Sequence, residues 1–139
     1  MSLALVLSDE LSPTDRWVEK CVVVGLVGRH PGSIELAALQ WVSEHIGELG
    51  AHGDRILVAG GARAARLALA ARHSGWPELR RQLVIHPRFT AQEPMPANVA
   101  GAPPATVVCG AGHDDGHRYV EILRATGVAV HEVHDDGRR

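Results

Sequence analysis

The chain reads as an α/β protein, a three-layer sandwich with a mainly parallel sheet of about six strands. Three observations predict this. Short β-branched runs alternate with helical patterns along the sequence. Several runs are almost continuously apolar, as in Val22-Val23-Val24, which suits strands buried on both faces. At 139 residues and 45% hydrophobic, the chain can build one core, so residues 1–139 are expected to form a single domain.

The elements follow in order. Leu3–Leu7 is the first predicted strand. Ser12-Pro13 reads as an N-cap followed by Pro at the first helical position, opening a short helix to Lys20. Cys21–Val27 is the second strand. Ser33 is expected to cap the next helix. Ile34, Ala38, Trp41, His45 and Leu49 give that helix one mainly apolar face, and Gly50 stops it. Arg55–Ala59 is the third strand. The helix from Ala62 to Ser74 is Ala/Leu-rich nearly all round and should be well buried. Gln82–His86 is the fourth strand. Residues 87–104 hold five prolines and form the one long loop. Ala105–Cys109 is the fifth strand. Asp115 is expected to cap a helix that ends at Thr126-Gly127, before the last strand, Val128–Val133.

Composition narrows the function classes. A formal net charge of −2 argues against a nucleic-acid or anionic-membrane partner. Cys21 and Cys109 lie in Val-rich runs and read as buried thiols, which fits a reducing cytoplasm. Leu3–Leu7 is too short for a signal peptide and lacks a basic start. No apolar run approaches the roughly 18 residues of a membrane span.

The chemistry question centres on Arg55-Ile56-Leu57-Val58-Ala59-Gly60-Gly61-Ala62-Arg63-Ala64-Ala65, a predicted strand, sharp turn and helix start. A nucleophile elbow places serine at the centre of such a turn. Ala62 stands there and has no hydroxyl.

In order and spacing, Gly32 to Gly137 resembles the later part of the α/β-hydrolase fold, most of all the hormone-sensitive-lipase-type esterases. The resemblance rests on Ala37-Ala38-Leu39-Gln40-Trp41-Val42-Ser43-Glu44-His45 followed by Asp54-Arg55-Ile56-Leu57-Val58-Ala59-Gly60. It continues through Gln82-Leu83-Val84-Ile85-His86-Pro87 and Val107-Val108-Cys109-Gly110-Ala111-Gly112-His113-Asp114. In that family the elbow reads Gly-Asp-Ser-Ala-Gly; here it is Gly60-Gly61-Ala62-Arg63-Ala64. The resemblance makes Ala62 and Asp114 relics of nucleophile and acid. It also implies a truncated form, with no His-Gly-Gly oxyanion loop, no catalytic histidine after Gly137, and neither the two N-terminal strands nor the cap. A serine hydrolase needs nucleophile, base, orienting acid and oxyanion donors together.

The sequence holds other candidates beside this one. Gly60, Gly61, Ala62, Arg63 and Arg66 lie at a helix N-terminus, which attracts anions, and the arginines would add charge-assisted contacts. The alternative is two surface arginines on a buried helix. His113, Asp114, Asp115, His117, His131, Glu132 and His134 are suitable metal ligands. Yet His131 and His134 are three apart on a strand and face opposite ways, so solvated polar residues are expected and no metal site. Trp17, Trp41 and Trp76 read as core or helix packing.

The expected function is a catalytically inactive esterase-like protein that needs no cofactor. It would bind a small anionic or acyl ligand, or a protein partner. A homo-oligomer through the edge strand Cys21–Val27 is expected, because that run is apolar, uncharged and free of proline. The alternatives are a weak carboxylesterase and the product of a decayed gene.

Overall fold

The computed structural model describes residues 2–8, 21–27, 31–51, 56–110, 112 and 114–135. The helix expected over residues 12–20, Trp17, Asp54, Arg55, His113 and Gly137 lie outside them, as do the side chains of Cys21–Val27. Among the described residues six strands and three helices follow in order: β1 (Ser2–Ser8), β2 (Cys21–Val27), α1 (Gly32–Glu44), β3 (Ile56–Gly60), α2 (Ala62–Ser74), β4 (Arg81–Ile85), β5 (Ala105–Gly110), α3 (Asp115–Ala125) and β6 (Val130–Asp135).

All strands pair in parallel in the order β2-β1-β3-β4-β5-β6. Among the described residues β1 is therefore interior, paired to both β2 and β3, and β2 forms an edge, as the sequence predicts. Parallel neighbours cannot be joined by a tight hairpin, so a longer crossover must separate them. That is why apolar runs and helical patterns alternate along this chain. The last strand begins two residues later than the expected Val128, because Val128 N instead bonds Leu123 O to close the end of α3.

Strand alternation divides the core in two. Ile56 and Val58 of β3 are fully buried against Leu39 and Val42 of α1 and Leu67, Ala68 and Ala71 of α2. Val84, Val107 and Cys109 pack with Tyr119, Val120 and Leu123 of α3 on the same face. Ala59, Leu83 and Val108 form a separate buried group on the opposite face. Within the first face, Tyr119 Oη donates to Gln82 Oε1 at 2.7 Å, and Gln82 Nε2 donates to Pro103 O at 3.1 Å. Both residues are fully buried, so this chain of bonds satisfies polar groups that would otherwise be costly there.

Helix α1 departs from expectation in three ways. Its N-cap is Pro31, with no side-chain cap from Ser33. It ends at Glu44 with His45 as C-cap, well before Gly50. Its buried residues are Glu35, Leu39 and Val42, one residue on from the predicted Ile34, Ala38, Trp41 stripe. One residue is about 100° of helix rotation. A glutamate on the inward face conceals that face from an apolar pattern. Ile34 and Trp41 are consequently about half exposed, and the Trp41 ring stacks on His45 with centroids 4.1 Å apart. Trp76 is also exposed. Neither tryptophan is core.

Candidate functional site

The turn between β3 and α2 lies at the carboxyl-terminal edge of the sheet, where open parallel α/β sheets bind ligands. Gly60 has φ +153°, a conformation that side chains rarely adopt, and Gly61 is the N-cap of α2. Gly60 thus lets the chain reverse sharply from strand into helix. Ala62 opens the helix and is buried, and Ala64 N bonds back to Gly61 O at 3.0 Å. Ala64 itself is fully buried among α1, α2 and β3.

The arginines beside this turn are held by a residue that the sequence reading missed. Glu35 of α1 is fully buried and takes both of them. Arg63 is buried, not a surface residue, with Nε 2.8 Å and Nη2 2.7 Å from Glu35 Oε2. Arg66, one-third exposed, donates to Glu35 Oε1 and lies 3.5 Å from Glu93. Two carboxylates therefore offset the charge of the two guanidinium groups. The signal that could have found Glu35 is its position at i−4 from Leu39 and i−7 from Val42, on the stripe that packs inward.

Asp114 lies at the same edge, on the loop after β5, and is exposed. It is the N-cap of α3, without a side-chain cap bond. The expected cap, Asp115, is instead the first helical residue. Its Oδ2 accepts from Phe89 N at 2.9 Å and ties the long proline-rich loop to α3.

A second polar cluster forms where β5, β6 and α3 meet. The register sets Cys109 beside His134 and Val107 beside Glu132, so Cys109, Glu132 and His134 share one face. Three side chains converge on Glu132 Oε2: Cys109 Sγ at 3.6 Å, His134 Nε2 at 3.6 Å and His117 Nδ1 at 2.9 Å. Burial and the neighbouring Glu132 push the Cys109 thiol up to about 11, so it is protonated and a poor nucleophile. The His117 hydrogen bond holds the Glu132 carboxyl below its usual range, and Glu132 in turn raises His117. His131, on the opposite face, is not part of the group, as the alternation predicts; that alternation did not reveal what His134 would meet.

A cavity of about 410 Å³ opens at the other end of the sheet, bounded by Ala71, Arg72, Pro77, Leu79, Gly101 and Pro104. It is remote from the Ala62 turn.

No protein-family model matches the chain. Esterase LipI of Mycobacterium tuberculosis is 31% identical over 76% of this chain and 48% of its own length. Among solved structures, the hyperthermophilic esterase of the archaeon Pyrobaculum calidifontis superposes with a TM-score of 0.80 over 99% of this chain and 66% of that one, at 20% identity. The thermophilic carboxylesterase EstE1 gives 0.76 over 99% and 71%, at 23% identity. The chain is thus similar in sequence to an esterase, and its fold is that of the α/β-hydrolase esterases. It spans about half the length of the curated relative and about two-thirds of these solved esterases.

Against that fold the departure at the elbow is chemical rather than architectural. The strand, the glycine turn and the helix are all in place. The residue at the tip is alanine, and the charges beside it are turned into the α1–α2 contact.

Proposed function

We propose that this chain is a non-catalytic member of the family, a cytoplasmic binding module on an esterase scaffold. Ala62 carries the reading: a methyl group offers no electron pair to an acyl carbon. The only cysteine among the described side chains, Cys109, is no substitute. It sits on β5, separated from β3 by β4, and is held as the thiol.

The partner surface we favour is β2. This strand pairs with β1 along all seven residues and with no other described strand. An edge of this length exposes a row of backbone N–H and C=O groups that recruits another strand. The partner is a second copy of the chain or another protein. A small ligand over Gly60–Arg66 is the second reading, favoured by the helix N-terminus at the carboxyl edge of the sheet. Because Glu35 and Glu93 offset the arginines, an uncharged acyl group fits better there than an anion.

Purified protein assayed with a short-chain aryl ester tests the absence of chemistry. Turnover should stay at background, and Ala62→Ser should remain there too, since a serine without its base is a weak nucleophile. Hydrolysis clearly above background in the unmodified chain would establish the weak carboxylesterase instead. Light scattering over a concentration series tests the edge. The chain should self-associate, or need a partner to stay dispersed, and Val23→Lys should shift it to monomer. A monomer at every concentration, indifferent to Val23→Lys and to added partner, overturns the edge reading.

A further inference from the structure

We propose that Cys109, Glu132 and His134 form a binding site for a divalent transition-metal cation of the zinc type, with His117 positioning the carboxylate. The site is independent of the reading of Ala62.

Each residue offers one donor atom, and the three atoms lie within 4.8 Å of one another. The finer distances are more telling. A metal bound at about 2.3 Å to sulfur and about 2.1 Å to oxygen or nitrogen, at tetrahedral angles, sets S···O near 3.6 Å and N···O near 3.4 Å. Cys109 Sγ and His134 Nε2 both stand 3.6 Å from Glu132 Oε2. An N···O separation of 3.6 Å is too long for a hydrogen bond, yet it closely matches the edge of a ligand tetrahedron. Thiolate, imidazole and carboxylate together suit zinc or cobalt rather than magnesium or calcium.

The surroundings fit a cation. Arg124 Nη1 lies 3.7 Å from Glu132 Oε1, the other oxygen, and so leaves Oε2 to the cluster. Glu121 Oε1 lies 3.1 Å from His117 Nε2, which adds a carboxylate to the periphery. His117 Nδ1 bonds Glu132 Oε2 at 2.9 Å, the kind of outer contact that fixes a ligating carboxylate. Cys109 is buried, whereas the His134 side chain is three-quarters exposed, so an ion can enter from solvent past His134. Binding replaces the S–H bond with S–metal and releases that proton to solvent. Three protein ligands leave a fourth position for water or another donor.

The test uses the untagged full chain, stripped with a chelator, desalted and titrated with Co²⁺. One equivalent should produce a thiolate-to-cobalt charge-transfer band in the near ultraviolet, and Zn²⁺ should displace it. Cys109→Ala should abolish the band and Cys21→Ala should keep it. His134→Ala and Glu132→Gln should each weaken binding by about 10-fold or more, and His117→Ala by about 10- to 100-fold with the band retained at saturation. Should Cys109→Ala not fold, the exposed His134→Ala decides the matter. No charge-transfer band, or a band of unchanged affinity in His134→Ala, overturns the site.

Discussion

Two polar clusters in this molecule are each built around one glutamate, and they differ in nearly everything else. Glu35 is fully buried and clamped by Arg63 and Arg66 between α1 and α2. Glu132 lies near the surface and gathers a thiol and two imidazoles where β5, β6 and α3 meet. Arginine is a permanent cation with donors only, so the first cluster is chemically closed. Cysteine and histidine carry lone pairs and change protonation, so the second can exchange a proton or accept an ion. The same carboxylate is a strut in one place and a responsive group in the other, and the partner's chemistry decides which.

The comparison breaks most sharply at Glu35. Glu35→Ala leaves two guanidinium groups facing a gap in the helix interface. Breaking a buried ion pair this way costs about 3–5 kcal/mol, read as a fall in the urea midpoint with an unchanged slope. Glu132→Ala should cost a small fraction of that, because its two histidine partners keep access to water. Equal losses would mean that both glutamates are structural. A smaller effect belongs to Gly116. A methyl group there would meet Cys109 Sγ at 3.1 Å and Cys109 Cα at 3.3 Å. Gly116→Ala should therefore push α3 off β5, cost about 1–3 kcal/mol and weaken cobalt binding along with stability. Full stability in this variant would show that α3 has slack over Cys109. The smallest effect is expected at Trp41. Trp41→Ser should shift stability by no more than about 0.5 kcal/mol in thermal denaturation, because the ring lies outside the core. A loss of several kcal/mol would return Trp41 to the packed face that its spacing suggested.

Sheet and helix order were legible because β-branched runs and alanine-rich stretches differ in local pattern. Ala62 was legible because the glycines before it fix a turn that any reader of strand-turn-helix can place. Glu35 was not, since a charged residue on the inward stripe breaks the apolar period, and its two partners lie a helix away in sequence. The Glu132 cluster was hidden for another reason. Spacing along β6 shows that His131 and His134 diverge, but not that His134 will sit beside Cys109; only the β5–β6 register decides that. Close approach at Gly116 then adds His117, which no pattern within α3 announces.

The sheet order also governs how the chain must assemble. β1 is synthesised before both of its neighbours in the sheet, which start at Cys21 and Ile56, and Leu3 finds its β3 partner only at Ile56. With every pairing parallel, none can begin as a local hairpin. Each must close a long loop before it gains any contact energy, which makes such topologies slow to fold. An emerging chain therefore carries Leu3–Leu7, one of its most apolar segments, with one flank unpaired until β3 has followed. For this protein, the period between making β1 and making β3 is when capture by a chaperone, or by another copy, competes most directly with folding.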